Sequence, residues 1–173
     1  MFLREIYFDN AATTRVCSAA ADGALRMMRE VYGNPSSLHG MGIDAEHAVD
    51  EARKTLALCA GCSPDEILFT SGGTESNNLA LFGAAGARQR QGRHIVASMC
   101  EHASVLGPLR ELEKQGFEVS YVRPDAAGRM TAEGFEACLR EDTVLVSCML
   151  VNNEVGTLGP IPELRAMLRR HGC

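Results

Sequence analysis

Short apolar runs alternate with amphipathic helical stretches along most of the 173-residue chain, and this alternation constrains the fold more than any other feature. Ile67–Thr70, His94–Ser98, Glu118–Val122 and Thr143–Val151 read as strands. Ser18–Tyr32, Asp44–Ala60, Glu75–Arg90, Ser104–Gln115, Thr131–Leu139 and a stretch from Pro160 to Arg170 read as helices. The first of these places Ala21, Leu25, Met28 and Tyr32 along one face. Glycine at 61 suits a left-handed helix end, and Gly33-Asn34-Pro35-Ser36-Ser37 breaks the first helical stretch from the second. Apolar strands separated by helices predict an α/β domain with a mainly parallel sheet and flanking helices. With no internal repeat and no linker, residues 1–173 are expected to form one domain, with residues 1–17 as an N-terminal arm.

Composition narrows the function classes. At 46% hydrophobic and 23% charged, the chain is neither disordered nor fibrous. Seventeen basic against twenty-two acidic residues give a net charge of -5, and no long basic run offers a surface for nucleic acid. Seven cysteines, an odd number without framework spacing, read as reduced thiols of a cytoplasmic protein. Arg4, Glu5 and Asp9 interrupt the opening residues, so no signal peptide is expected there. No apolar run approaches the roughly 18 residues a membrane helix needs.

Three polar segments sit at the expected carboxyl ends of strands, where open α/β sheets bind ligands. Thr70-Ser71-Gly72-Gly73-Thr74-Glu75-Ser76 joins a strand to a helix. Its glycines and hydroxyls, with the free N–H groups of a helix start, suit an anion such as phosphate. A plain capped turn explains the same residues without a ligand. Cys100-Glu101-His102 follows the next strand, and its histidine suits an acid, a base or a flat ring under a planar cofactor; a surface loop histidine is the competing reading. Val151-Asn152-Asn153-Glu154-Val155-Gly156 follows the last strand. Two amides and a carboxylate there are costly if buried without partners, though a turn accounts for them equally well. Cys59-Ala60-Gly61-Cys62 has redox spacing but no second cysteine or histidine pair, so no metal site is expected. Glu46, Asp50 and Glu51 read as a solvated helix face.

Taken in order, these strings resemble the cysteine desulfurases, pyridoxal-phosphate enzymes of the class V aminotransferase group. Tyr7-Phe8-Asp9-Asn10-Ala11-Ala12-Thr13-Thr14 is similar to that family's N-terminal signature, and Gly33-Asn34-Pro35-Ser36-Ser37 with His39 is similar to its active-site loop. Ser71–Asn77, Glu101-His102 and Asn152-Asn153-Glu154 follow in the family's order. The resemblance implies the fold type I of pyridoxal-phosphate transferases, with this chain an incomplete large domain. It implies that Gly73 and Thr74 hold the phosphate of pyridoxal 5'-phosphate, and that His102 stacks on the pyridine ring and assists proton transfer. Asn153 would bond the phenolic oxygen and Asn34 would lie near the substrate. The implied reaction converts L-cysteine to L-alanine and leaves sulfur on an enzyme cysteine as a persulfide, for iron–sulfur or thio-cofactor synthesis. A homodimer and a sulfur-acceptor protein are the implied partners.

The chain also departs from the family. Its two lysines, Lys54 and Lys114, lie mid-helix and outside the family's Schiff-base motif, and none of the seven cysteines matches the sulfur-accepting one. It ends on a helix and glycine, Arg169-Arg170-His171-Gly172-Cys173, where a further strand is expected. The expectation is a truncated chain that stops before the lysine region and is inactive alone. The alternatives are another class V enzyme, such as a selenocysteine lyase or an aminotransferase, and a non-catalytic fragment serving as a binding module.

Overall fold

The computed structural model describes residues 6–173, so the first five residues of the expected arm lie outside the described residues. Two compact units divide between Phe69 and Thr70.

In the first unit, α1 spans Ser18–Arg29 and buries none of its residues. Helix α2 spans Gly40–Ala60 and is followed by a single 3-10 turn at Pro64–Glu66. It begins at Gly40 rather than the expected Asp44 because the His39 side chain caps it, Nδ1 accepting from the Gly42 N–H at 3.3 Å. It ends at Gly61, whose φ of 69° is the left-handed geometry read from the sequence. A Cβ on Gly33 would overlap the Met41 carbonyl and one on Gly42 would overlap Ser37, so the Asn34 loop lies tight against the start of α2.

The expected strand Ile67–Thr70 does not form among the described residues. Its apolar composition is right, but a strand exists only with a neighbour to pair with. Arg53 holds this stretch instead, donating from Nη1 to the Ile67 carbonyl and standing 5.0 Å from the Phe69 ring centroid.

The second unit is a three-layer α/β sandwich. Its elements are α3 (Gly73–Arg88), β1 (His94–Ser98), α4 (Ala103–Lys114), β2 (Glu118–Val122), α5 (Ala132–Glu136), β3 (Thr143–Ser147) and α6 (Ile161–His171). The sheet order is β2-β1-β3, and both pairings are parallel, as expected. All five residues of β1 are buried, as a central strand covered on both faces requires. Alternation sends Ile95 and Ala97 into a core with Leu81, Ala85, Leu109 and Leu112 from α3 and α4. Val96 and Val122 face the opposite core with Phe135, Leu164 and Met167 from α5 and α6. An irregularity between His94 and Ile95 leaves Val144 of β3 unmatched, and that residue turns into the first core.

The expected strand Thr143–Val151 is shorter, its ladder ending at Ser147. The chain beyond folds on itself: Val151 bridges Leu158 antiparallel, and the Gly159 N–H donates to the Leu150 carbonyl at 2.8 Å. That turn pulls Met149–Val151 away from the sheet. Helix α6 starts at Ile161 after Pro160 and ends on left-handed Gly172, φ 86°. At the opposite edge of the strands, the buried ring of His94 spans the sheet, with Nδ1 2.7 Å from Thr143 Oγ1 and Nε2 2.9 Å from Ser120 Oγ.

Candidate functional site

Helix α3 begins at Gly73, so helical geometry leaves the N–H groups of Gly73, Thr74 and Glu75 without carbonyl partners inside the helix. Ser76 N–H is bonded to the Gly72 carbonyl at 3.1 Å. A Cβ built on Gly72 or Gly73 would meet nothing within 4 Å, so the space at this helix start is open. The Ser71 hydroxyl, read as a possible phosphate ligand, is engaged locally. Both its Oγ–H and its N–H donate to Glu75 Oε2 at 2.6 Å, and these bonds lower the Glu75 pKa below the usual carboxylate value. Thr74 is exposed at the helix start beside them.

His102 is the N-cap of α4, its exposed ring turned so that Nδ1 accepts from the Ser104 N–H at 3.0 Å. Ser104 Oγ lies 2.8 Å from the same nitrogen and receives a hydrogen bond from Asn77 Nδ2 of α3, also at 2.8 Å. Ser104 is 8% exposed. This link ties the helix that begins at Gly73 to the loop that carries His102.

The loop after β3 joins the same region through Asn152, whose Nδ2 donates to the Cys100 carbonyl at 3.0 Å. Its Oδ1 accepts from the N–H groups of Glu154 and Val155 at 2.9 and 3.0 Å. Asn153 is exposed, with Nδ2 2.8 Å from Glu154 Oε1. Replacing Asn152 by alanine is expected to cost about 1–3 kcal/mol and to speed amide exchange at Glu154 and Val155, measurable by hydrogen-exchange NMR.

Beneath these loops Glu101 is 9% exposed, with Oε1 lacking a hydrogen-bond partner. Burial raises its pKa, against the opposing bonds from the Ser98 hydroxyl and the Met149 N–H. The half-buried Cys148 thiol is pushed up to about 11 by desolvation and by the negative charge of Glu101. All seven cysteines are free. Among the described residues no cluster of three or more metal-ligating side chains occurs, and no helix is long and apolar enough to cross a membrane.

The three polar segments read from the sequence therefore meet at the carboxyl ends of β1 and β3, joined by Asn77–Ser104 and Asn152–Cys100. Asn34 belongs to the first unit, where its Oδ1 accepts from the Ser36 N–H at 3.0 Å. Nothing in the sequence assigns Asn77, Ser104 or Asn152 a role of its own, because each sits inside or beside a motif and has the look of an ordinary helix or turn residue.

Comparison with known proteins gives a consistent result. The family pattern described as "Aminotransferase class-V" matches residues 6–173. A "Cysteine desulfurase IscS" from Dictyoglomus turgidum is 44% identical over 168 residues, covering 97% of this chain and 43% of the relative. A solved structure titled "NIFS-LIKE PROTEIN" superposes with a TM-score of 0.91 at 41% identity, covering 97% of this chain and 46% of that one. Another, "SspA in complex with cysteine", gives 0.88 at 37% identity, covering 96% and 48%. The chain thus spans less than half the length of the relatives it matches.

Proposed function

The chain belongs to the aminotransferase class-V family, and from that premise we propose that it is the N-terminal part of the cofactor-binding large domain of a cysteine desulfurase. The observation that supports this most is the joining of the loops after β1 and β3 to each other and to the first turns of α3, beside His102. Pyridoxal phosphate, when bound in such an enzyme, supplies an electron sink for bond breaking on an amino acid.

The donors present fit that group. The open helix start offers the N–H groups of Gly73 and Thr74 and the Thr74 hydroxyl to a phosphate. His102 offers an exposed flat ring held from behind by Ser104, suited to stacking and to holding or moving a proton at Nε2. Asn153 offers an exposed amide to the phenolic oxygen. Asn34 is the proposed substrate-side residue and L-cysteine the proposed substrate; a cytoplasmic homodimer that hands sulfur to an acceptor protein completes the reading.

Each lysine is engaged in an ion pair on its own helix. Lys54 pairs with Glu51 at 2.8 Å on the exposed face of α2. Lys114 pairs with Glu111 at 2.8 Å in the last turn of α4. The rise of a helix puts that turn about 16 Å from the end that His102 caps. The lysine that would hold the cofactor is therefore proposed to come from polypeptide outside these residues, and the 173-residue chain to be inactive alone.

The test is cysteine turnover by the purified chain, alone and mixed with the complementary C-terminal part of the Dictyoglomus turgidum relative. With dithiothreitol present to reduce the enzyme persulfide to sulfide, the chain alone is expected to release no sulfide, and the mixture to form sulfide and alanine in equal amounts. Sulfide from the chain alone would overturn the inactivity. A mixture that binds pyridoxal phosphate but turns over a different amino acid would point to another class V reaction.

A further inference from the structure

We propose that Asn77 and Ser104 are positioning residues that fix His102 in its Nε2–H form, so that the free edge of its ring presents a hydrogen-bond donor rather than a lone pair. The meaning of this for catalysis rests on the reading of His102 as a residue of the cofactor site; the hydrogen-bond pattern stands on the geometry alone.

The argument is one of donor accounting. A backbone amide only donates, so the Ser104 N–H at 3.0 Å requires Nδ1 of His102 to be an acceptor without a hydrogen. A neutral imidazole whose Nδ1 is bare carries its hydrogen on Nε2. Ser104 Oγ, 2.8 Å from the same Nδ1, must then donate as well. That is possible because the oxygen's own acceptor need is met from the other side, by Asn77 Nδ2 at 2.8 Å. The three groups form a chain in which every hydrogen points the same way, from Asn77 through Ser104 to His102.

Two other histidines show that this is more than helix capping. His39 caps α2 with the same Nδ1 contact, to the Gly42 N–H at 3.3 Å, but no second donor backs it in the hydrogen bonds of the described residues. His94 meets only hydroxyls at its two ring nitrogens, and although Thr143 Oγ1 also accepts from the Arg140 N–H at 2.8 Å, no amide N–H reaches the ring itself, so its partners leave the ring's form open. At His102 alone among the three, a buried hydroxyl and an amide from another helix add direction to the cap. Because Asn77 stands one turn past the open start of α3, the orientation of the ring is tied to the helix end that offers donors to an anion. The outward Nε2–H then selects an acceptor atom, such as a carboxylate or phenolate oxygen or a thiolate sulfur.

The experiment is long-range 1H–15N NMR of the histidine rings in the full chain at pH 7.5, with His102 assigned from His102→Gln. In the parent protein His102 is expected to show the Nε2–H pattern. Ser104→Ala should shift the Nδ1 resonance downfield as a donor is lost, and Ser104→Thr, which keeps the hydroxyl, should restore it. Asn77→Asp replaces a donor by an acceptor and draws the Ser104 hydrogen to itself, so it should raise the Nδ1–H share above that of Asn77→Ala. A merely structural role for Asn77 predicts no such difference. An Nδ1–H majority in the parent protein, or identical His102 spectra for parent, Asn77→Ala and Asn77→Asp, would overturn the proposal. If Ser104→Ala does not fold, the Asn77 pair decides. No measurement here uses cofactor or cysteine, so failure of the desulfurase reading and failure of this one are separately visible.

Discussion

Phe135→Ala is expected to lose about 3–5 kcal/mol of unfolding free energy, the cost of emptying a large buried aromatic site. Phe135 has no exposed surface and is the one buried residue of α5. A five-residue helix has no stability of its own, since nucleation outweighs so few hydrogen bonds. What keeps it in place is this ring, seated among Val96, Val122, Leu164 and Met167. The Thr131 cap adds a little, its Oγ1 accepting from the Gly134 N–H at 3.2 Å. The close approach of α5 to β2, where a Cβ on Gly134 would stand 3.0 Å from Val122 Cγ1, leaves little room for the helix to settle into the vacancy. Against typical domain stabilities of about 5–15 kcal/mol, the loss is large. Urea unfolding monitored by circular dichroism measures it, and hydrogen exchange should quicken first across 132–138. A cost under about 1 kcal/mol would mean the core closes over the site, contrary to its packing.

His94 governs the second large effect, and it is pH-dependent. Its ring is fully buried and bridges all three strands through Thr143 and Ser120. Desolvation, reinforced by the positive charge of Arg140, pushes its pKa below the ordinary 6.5, while Asp142 and Glu118 pull the other way. A depressed value means that the unfolded chain binds the proton more readily than the folded one. The stabilisation is therefore complete above pH about 6.5 and is lost as pH falls below that toward the folded value. His94→Ala should cost about 3 kcal/mol at pH 7.5, because it opens a cavity and takes a partner from the buried Thr143 hydroxyl and the half-buried Ser120 hydroxyl. His94→Gln keeps a donor and an acceptor without titrating, so it should lose less and be flatter between pH 7.5 and 5.5. Equal acid sensitivity in the parent and His94→Gln, read from urea midpoints, would rule out this role.

How much of this was legible in the sequence depended on whether a residue's environment is local. β1 and β2 fall where their apolar runs place them, and α2 and α6 stop at glycines that adopt left-handed angles. Ile67–Thr70 has the composition of a strand, but pairing depends on a neighbour that the segment itself does not encode. Met149–Val151 is as apolar as the strand before it, yet the turn at Asn152–Thr157 claims it, and that turn depends on Asn152 side-chain bonds as much as on Gly156. The candidate site divides in the same way. An open helix start at Gly73 and a histidine after β1 follow from local order. The burial of Glu101 and the direction of the Asn77–Ser104 link come from chain segments far apart in sequence, and no spacing rule announces them.

The strand order carries a consequence for synthesis. β1 lies in the middle of the sheet, yet it is the first of the three strands to be made. Its two ladder partners follow later, and the second is complete only after roughly fifty more residues, some 3–10 s at ordinary translation rates. Until β2 is made, Ile95, Val96 and Ala97, which the finished protein hides entirely, have no strand beside them, and until β3 follows one edge stays open. The nascent chain thus passes through a stage in which its most buried strand is open on both edges, the point where a ribosome-bound chaperone would act and where a pause in translation would be most damaging.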